Sequence, residues 1–391
     1  MSCYISSNEN RLYTALETAY GEVVAITAAN RIAAIKLSTK QELETAERRD
    51  KTGSRTFAGF PAGLRRRTSF DLTAYLTSWD NPQAGPPSYG PLFRSSLGGT
   101  PLVFNGGTAA ANSTQSALAF AAPHGLVPDQ AVSHGGEIRF VAAIIDALQV
   151  QLNAPLSVTP ILGAPLGPTI TYLPATDLPS VDVFDYWIPA TAVQRILCGA
   201  VVDKMQIELN GDYHQFEFSG PARDLIDSAS FSSGEGQLTT FPAEPETAPF
   251  NYSIIPGHLG QVWLGSGPDR FFTLTSATVL LENHLNLRVK EFGSSLPRCI
   301  SPGRRTVQAK FELYEQDDQA TKGLYQSARQ QSAVEVMFQL GQQAGQMFGV
   351  RMKSVIPQVP DFDDSDGRLQ WQFANSQAQG AVDDEITVAF G

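Results

Sequence analysis

Alternating apolar and polar residues mark two similar stretches of the chain as strands with one buried face. The first stretch, at 65–76, reads RRRTSFDLTAYL, and the second, at 304–315, reads RRTVQAKFELYE. A glycine stands shortly before each of them, at Gly63 and Gly303. A similarity over so few residues can arise by chance, so the flanking segments decide whether the chain repeats itself.

The flanking segments recur in the same order, which indicates a tandem duplication. Thr306 follows Thr68 by 238 residues, whereas Val334 follows Val181 by 153. The first copy therefore contains about 85 residues that the second lacks, roughly between 99 and 179. The other matched segments are 30–37 with 269–274, 180–187 with 333–340, 199–207 with 349–356, and 211–218 with 367–373.

Each copy has the same predicted order of elements: a strand, a long charged loop, a strand, a helix and two further strands. The loops cover 38–64 and 282–302, and the helices cover 89–98 and 320–331. In the second helix, apolar residues recur at helical spacing. The pattern predicts a mainly antiparallel β fold, with two tandem β-sandwich domains that contain one helix each.

The duplication divides the chain into five predicted segments. Residues 1–22 are expected to form an N-terminal arm with a short helix over 10–20. Residues 99–179 contain three strand-like runs separated by glycine and proline, and a loop accepts such an inserted β-module at a small entropic cost. We expect this module to project outward. The remaining segments are a first domain at 23–98 and 180–230, a linker at 231–260, and a second domain at 261–391.

Composition and charge exclude several classes of protein. Hydrophobic residues make up 42% of the 391 residues and charged residues 17%, which is a globular composition. The net charge of −11 argues against a surface that binds nucleic acid, because such a surface needs Lys and Arg to displace counterions. Three scattered cysteines favour reduced thiols in a cytosolic setting. Neither a signal peptide nor a membrane span is predicted.

The sequence predicts no catalytic residue, no metal site and no cofactor. None of the five histidines has the spacing of metal ligands. The acidic stretch 361–367 resembles a calcium loop, but its first and twelfth ligand positions fall on Phe362 and Phe373, which cannot bind the ion. The carboxylates at 383–385 are expected to be a charged lead-in to a terminal strand.

The arginines at 65–67 form the sharpest basic cluster of the chain. Two interpretations stay open. The cluster is either a solvated entry to a strand, or a contact in which local positive charge meets the carboxylates of an acidic neighbouring subunit. The second copy retains Arg304 and Arg305, which favours a role that is repeated around an assembly.

The order of elements resembles that of the major tail tube proteins of long, flexible-tailed bacteriophages. The resemblance rests on the succession of strand, long charged loop, arginine-rich strand and helix, on 180–187 and 199–207, and on the C-terminal run 367–391. It covers about 23–98 and 180–391. The inserted module resembles domains that decorate phage structural proteins.

Membership of that family implies a β-sandwich whose one sheet joins those of its neighbours in a closed barrel around a DNA-conducting lumen. Most members have one tube domain and form rings of six, so a chain with two domains is expected to form rings of three, with six as the alternative. The partners are then further copies of the chain. The tape-measure protein and DNA pass through the lumen without specific binding, and no membrane is involved. The expected location is the virion tail, after synthesis in the host cytoplasm.

The resemblance also implies roles for charged residues. An acidic, polar lumen repels phosphate groups, so DNA meets no adhesive site. Glu217, Glu312 and Glu335 are the candidates for the lumen. The candidates for contacts between rings are Glu44, Glu47, Arg48, Arg49, Arg65, Arg66, Arg67, Arg304 and Arg305.

Two other classes of protein stay open as alternatives. A two-domain β-sandwich adhesin or carbohydrate-binding module would need clustered, exposed aromatic residues, whereas the four tryptophans are scattered. An enzyme such as a glycosidase would need a catalytic motif, and the chain has none, so we predict that it is not an enzyme. The tryptophans are Trp79, Trp187, Trp263 and Trp371.

Overall fold

The predicted mainly β fold is confirmed. Strands make up 44% of the chain and helices 7%, and the sheets are antiparallel. The computed structural model describes residues 4–45, 50–57, 59–60, 65–79, 85–246, 252–265, 270–365 and 367–391.

The elements follow one another along the chain with few long connections. Up to the end of the insert they are β1 (Asn10–Leu16), a 3-10 turn (Ala28–Asn30), β2 (Arg31–Ile32), β3 (Ala34–Leu43), β4 (Arg66–Tyr75), α1 (Gly90–Leu97), β5 (Leu102–Phe104), β6 (Gly107–Thr108), β7 (Ala117–Ala119), β8 (Ala131–His134), β9 (Glu137–Asp146), β10 (Gln149–Leu152), β11 (Pro165–Leu166) and β12 (Thr169–Tyr172). After it come β13 (Val181–Trp187), β14 (Arg195–Ala200), β15 (Lys204–Leu209), β16 (Gln215–Ala222), β17 (Asp224–Asp227), a 3-10 turn (Glu235–Gln237), β18 (Gly260–Leu264), β19 (Leu274–Glu282), β20 (Asn286–Leu287), β21 (Ile300–Ser301), β22 (Thr306–Tyr314), α2 (Gln319–Gln330), β23 (Val334–Leu340), β24 (Phe348–Ile356), β25 (Asp361–Asp363), β26 (Gln370–Ala378) and β27 (Thr387–Phe390).

The predicted helix over 10–20 is wrong, because β1 occupies most of this segment. β1 lies between β13 and β2 in a five-stranded sheet, and it pairs with β13 along its whole length. Residues 12–15 are all buried, with Tyr13 completely so. A short strand that is covered on both faces has an uninterrupted buried run, which periodicity cannot distinguish from a helix. The expected N-terminal arm therefore contributes a central strand.

The strand order of the first half recurs in the second half. The sheet β17-β14-β13-β1-β2 is matched by β27-β24-β23-β18, where Trp263 of β18 forms a bridge with Arg270 in the place of β2. The path β3-β4-β16-β15 is matched by β19-β22-β26-β25. β15 pairs directly with β19, so both paths form one continuous surface, which we call the long sheet.

The structure shifts the alignment of the two copies by one residue. The pairing of β16 with β4, and of β26 with β22, places Ala74 and Leu313 at equivalent positions. By the same register Thr68 corresponds to Val307, and both are buried. The predicted match of Thr68 with Thr306 is therefore wrong. Neighbouring residues of a strand face opposite sides, so a shift of one residue exchanges the core face for the outer face.

Aromatic side chains from both halves share one core beneath the long sheet. The ring of Phe93 in α1 lies 5.0 Å from that of Phe216 in β16 and 5.5 Å from that of Phe348 in β24. Phe390 of β27 lies 5.2 Å from Phe93. Burial of each such ring contributes about 1.5–3 kcal/mol. The junction between the halves is thus a buried core as well as a pair of hydrogen-bonded strands.

The inserted module has a core of its own and also packs against the second half. β7-β10-β9-β8 form its sheet, over a separate apolar cluster. Another cluster combines Ile138 and Phe140 of the module with Trp263 and Met337 of the second half. β12 pairs with the C-terminal strand β27. Buried contacts therefore anchor the module to the second half. The sequence predicts that the module projects outward, and it does not predict these contacts.

Arg139 of β9 joins the module to the second half. Its side chain is fully buried, and the guanidinium donates to Gln339 Oε1 at 2.8 Å, Gln261 Oε1 at 2.9 Å and Glu137 Oε1 at 2.8 Å. Its Cζ lies 4.1 Å from the ring centroid of Trp263. Burial lowers the pKa of Arg139 to about 10, although Glu137 opposes this shift. A buried charge of this kind is tolerated only while its partners remain.

Candidate assembly interface

The long sheet has a polar face, which contains two of the three predicted lumen residues. Along β16 and β22, polar residues alternate with buried apolar ones, and Glu217 and Glu312 lie on the polar side. Burial and the neighbouring carboxylates of Glu208 and Asp71 raise the pKa of Glu217. Glu312 forms an ion pair of 3.3 Å with Lys310.

The third predicted lumen residue lies elsewhere. Glu335 is on β23, outside the long sheet. Its Oε1 accepts hydrogen bonds from Arg351 Nε at 2.8 Å and from Asn153 Nδ2 at 3.0 Å. Asn153 belongs to the inserted module, which therefore contacts this carboxylate. The structure brings Glu217 and Glu312 onto one face and leaves Glu335 apart from them.

Carboxylates outnumber cations on the polar face of the long sheet. Some are neutralised within the sheet, as in the ion pair of Lys204 with Glu282 across the junction of β15 and β19. An excess of carboxylates on a surface repels phosphate. Among the described strand residues of this face, the carboxylates are Glu42, Asp71, Glu208, Glu217, Glu282, Glu312, Asp361 and Asp363, and the cations are Lys36, Lys40, Arg67, Lys204 and Lys310.

β3 forms one edge of the long sheet and has a single partner strand, β4, in the part of the chain that the structure describes. Its counterpart β19 is paired on both sides. Val279 of β19 is fully buried, whereas Thr39 at the equivalent place in β3 is half-buried. Leu37 is likewise half-buried, where its counterpart Ala277 is buried. A free edge of ten residues presents unpaired N–H and C=O groups to another strand.

β25 forms the opposite edge. It pairs with β26 on one side, and none of the described strands lies on its other side. Phe362 of β25 corresponds to Ile207 of β15, which pairs with Val279 of β19 and is fully buried. Phe362 is 56% exposed, although its ring contacts those of Tyr325 and Trp371 at 6.0 and 5.7 Å. The large apolar side chain at this edge thus lacks the cover that its counterpart has.

The junction of β15 with β19 shows how the two free edges fit together. Equivalent strands can pair in the same register, so β25 of one chain can pair with β3 of the next as β15 pairs with β19. That register places Asp361 opposite Lys40, and Phe362 opposite Thr39. The first pair joins opposite charges on the polar face, and such cross-strand pairs stabilise a sheet. The second pair covers the exposed phenylalanine on the core face.

Two of the predicted contact arginines are engaged within their own chain. The guanidinium of Arg305 donates to Asp383 at 3.1 Å and to Glu385 at 2.9 Å. Arg66, its counterpart in the first half, lies 3.5 Å from Asp224. These intramolecular pairs engage both guanidinium groups within the chain, which the sequence does not predict.

Arg67 has a different setting, since it is exposed and lines an open groove of about 830 Å³ with Arg288 and Lys290. Arg288 and Lys290 belong to the connection between β19 and β22, within the predicted long loop 282–302. In the structure this connection contacts β4 of its own chain, because the backbone N–H of Arg66 donates to the carbonyl of Ser295 at 3.0 Å. Of the other candidates, Glu44 and Arg304 are exposed, Arg65 is half-buried, and Glu47, Arg48 and Arg49 lie outside the described residues.

The edge residues Lys40, Asp361 and Phe362 are not among the contact residues predicted from the sequence. By its sequence the stretch 361–367 resembles a calcium loop that lacks two ligands, whereas Asp361–Asp363 is a strand. The signal that could have found it is an apolar residue between two polar ones, the same pattern that Ile207 shows in β15. Three residues are too few for periodicity to carry a prediction.

The described residues contain little that points to other chemistry. Among them, no group of three or more His, Cys, Asp or Glu side chains is placed to hold a metal ion. None of the described helices has the length and apolar character needed to cross a membrane. Trp79, Trp263 and Trp371 are buried, so they cannot form an exposed platform for a sugar.

No family model matches the chain, and no curated protein matches it either. The assembly surfaces are therefore interpreted from their geometry and chemistry.

Proposed function

We propose that the chain is the structural subunit of a phage tail tube, in which rings of the subunit stack around a lumen that conducts DNA. The observation that carries this proposal is the pair of open and complementary edges on the long sheet. A long free edge favours pairing with another chain, and closure into a barrel removes both edges at once.

The duplication supports rings of three chains. The free edge strands β3 and β25 correspond to β19 and β15, which already pair with each other inside the chain. Every added chain therefore repeats the β15–β19 junction. Head-to-tail contacts of this kind close into a ring when the rotation at each step allows it. Three chains supply six equivalent four-stranded sets, the number that single-domain subunits supply in rings of six.

The polar face of the long sheet is the face that is left to enclose a lumen. Its opposite face is covered by both helices, since Phe93 of α1 and Leu324 of α2 are buried in the main core. Excess carboxylates around a channel keep phosphates away from its wall, so DNA and a tape-measure protein pass without binding. Glu217 and Glu312 are the lumen residues of this proposal.

Negative-stain electron microscopy of the purified protein, at rising concentration, tests the proposed function. We expect rings or tubes with a central channel above a threshold concentration, and monomers below it. A protein that stays monomeric in sedimentation at its highest attainable concentration, and shows no rings, would contradict the proposal.

A further inference from the structure

A small cavity lies where the two halves of the chain meet. The turn between β15 and β16 lines one side of it with Asn210 and His214, and β18 and the segment 270–274 line the other side. Its volume is about 200 Å³. Since a water molecule takes up about 30 Å³, the cavity has room for one small organic molecule. We call it the Arg270 cavity, after the cation in its wall.

The Arg270 cavity is basic although the chain as a whole is acidic. The net charge of the chain is −11, yet none of the described residues that line the cavity is a carboxylate. Arg270, His214 and His258 line it instead. Burial lowers the pKa of Arg270, and the carboxylate of Glu137, which opposes this shift, already pairs with Arg139. The cavity therefore suits an anion.

Two buried polar atoms of the lining residues have no hydrogen-bond partner among the described groups. They are Arg270 Nε and His214 Nδ1. The guanidinium uses Nη2 to donate to the carbonyl of Gly260 at 3.0 Å, which leaves the Nε–H as a donor. His214 is 1% exposed, and its Nε2 lies 3.0 Å from the carbonyl oxygen of Leu259. The proton therefore lies on Nε2, and Nδ1 is an acceptor. Buried polar atoms are seldom left unpaired, so these two indicate a ligand that has both an acceptor and a donor.

Apolar side chains form much of the remaining wall of the cavity. Val262 and Phe271 are buried, and Leu274 is half-buried. Phe272 is 79% exposed, and Arg270 Cζ lies 4.7 Å from the centroid of its ring. The ring covers one face of the guanidinium and leaves the donors at its edge for a ligand. An apolar body beside the anionic group therefore fits the cavity.

Backbone hydrogen bonds hold the wall of the cavity in place. Gly257 N donates to the carbonyl of Asp212 at 3.1 Å, which fixes the segment before β18 to the turn between β15 and β16. Gly341 N donates to the carbonyl of Leu259 at 2.9 Å, which fixes the same segment to the end of β23. A wall that is already ordered reduces the entropic cost of binding a ligand.

We infer that the Arg270 cavity binds a small carboxylate that has an apolar body and a hydroxyl group next to the carboxyl group, as in a 2-hydroxy acid. The carboxylate accepts a charge-assisted hydrogen bond from Arg270 Nε. The hydroxyl group donates to His214 Nδ1, and the apolar body lies against Val262 and Phe271. The ligand contacts both halves of one chain. The site is complete in a single subunit, so the inference goes beyond the proposed function and does not depend on it.

A matched series of three ligands tests the inference, by saturation-transfer NMR titration of the purified chain. 2-Hydroxy-4-methylpentanoate has all three features, and we expect it to bind with a Kd of about 1 mM. 4-Methylpentanoate lacks the hydroxyl group and should bind about fivefold more weakly. 2-Hydroxy-4-methylpentanamide lacks the charge and should bind at least about tenfold more weakly. Equal binding of the three, or no binding of any at about 20 mM, would overturn the inference.

Two variants assign the contacts. Arg270→Gln should weaken binding of the hydroxy acid at least about tenfold and remove its advantage over the amide. His214→Phe should remove only the advantage of about fivefold that the hydroxyl group gives. Arg329→Gln, which changes an exposed arginine on α2 outside the cavity, is the matched control and should bind all three ligands as the unmodified chain does.

Circular dichroism checks that each variant folds, and the ligand series on the unmodified chain decides if one does not. A hydroxy acid that binds folded Arg270→Gln as tightly as the unmodified chain would overturn the inference. The presence or absence of rings in electron microscopy tests the proposed function separately, so the failure of one claim is distinguishable from the failure of the other.

Discussion

Asp182 on β13 shows how a single buried carboxyl group makes the stability of this fold depend on pH. It is completely buried, and burial together with Glu17 raises its pKa to about 10. Its Oδ2 accepts a hydrogen bond from Val24 N at 2.8 Å, while Oδ1 accepts none from the described groups. The folded chain therefore holds this proton more tightly than the unfolded chain, whose pKa is about 4. Its contribution to stability is complete below about pH 4 and is lost as the pH rises toward about 10.

Asp182→Asn should stabilise the protein at neutral and basic pH. The amide keeps an oxygen for Val24 N and adds a donor beside Glu17, without a carboxyl group that must stay protonated. We expect the free energy of unfolding to rise by about 1–3 kcal/mol at pH 8, with a gain that grows between about pH 4 and pH 8. Urea unfolding over a series of pH values measures this. Asp227→Asn is the control of opposite sign, because Ser230 lowers the pKa of Asp227; a destabilised Asp182 variant at pH 8 would contradict the account.

Arg139→Met should lower the free energy of unfolding by about 3–5 kcal/mol, because Glu137, Gln261 and Gln339 lose their buried partner. Chemical denaturation measures the loss. Arg329→Met, an exposed arginine in the last turn of α2, should change it by less than about 0.5 kcal/mol. Equal effects of the two substitutions would show that Arg139 has no anchoring role.

Periodicity predicts where strands lie better than it predicts whether a single residue is buried. Asp182 stands at a polar position of an alternating pattern, yet it is buried because β13 is a central strand with neighbours on both sides. Thr68 and Thr306 match by sequence but face opposite sides of their strands. Both outcomes depend on which strands lie alongside, and a pattern within one segment does not contain that information.

At the scale of elements, the proposed assembly depends on pairing between the free edges of β3 and β25. Lys40→Glu should raise the threshold concentration for assembly about tenfold, since it places like charges opposite each other at the junction with Asp361. Sedimentation velocity at a series of concentrations measures the threshold. Asp361→Lys in the same chain should restore it, and Lys322→Glu on α2 should leave it unchanged. A double variant that assembles no better than Lys40→Glu alone would show that the register is wrong.

The inserted module provides a second prediction at this scale. Replacing 107–166 by a short linker should lower the thermal midpoint by about 5–10 °C, because it uncovers Trp263, Met337 and Met347. Calorimetry measures the change. Shortening only the exposed hairpin tip at 142–148 is the matched control and should leave the midpoint unchanged. An unchanged midpoint after the full deletion would support a freely projecting module instead.

The existence of the module could be predicted from the unequal offsets of the repeated segments, but its docking could not. Arg139 and Gln339 are 200 residues apart in sequence and meet only in the folded chain. The strand β12 pairs with the C-terminal β27 in the same way. Contacts between residues so far apart leave no local pattern in the sequence. Strand-like runs separated by Gly and Pro do leave one, and it predicts the strands of the module.

At the scale of the whole molecule, the net charge of −11 conceals an uneven distribution. The total argues against a surface that binds nucleic acid, but it does not report that Arg67, Arg288 and Lys290 line one groove. The doubled strand order likewise belongs to the whole chain: β15 and β19 already make, inside one subunit, the contact that we propose between subunits. The intramolecular junction is thus the best available guide to the intermolecular one.

A thiol cross-link across the proposed junction tests the central claim most directly. Lys40→Cys and Asp361→Cys are combined in a chain whose three native cysteines are replaced, and the assembled protein is treated with a short bifunctional thiol reagent. Cβ atoms of directly opposed residues lie about 4.5–5.5 Å apart, within its reach. The account predicts covalent species of one, two and three chains on a denaturing gel, with the series ending at three, and no cross-linking for either single cysteine. A series that ends at two chains, or the absence of any intermolecular product, would contradict it.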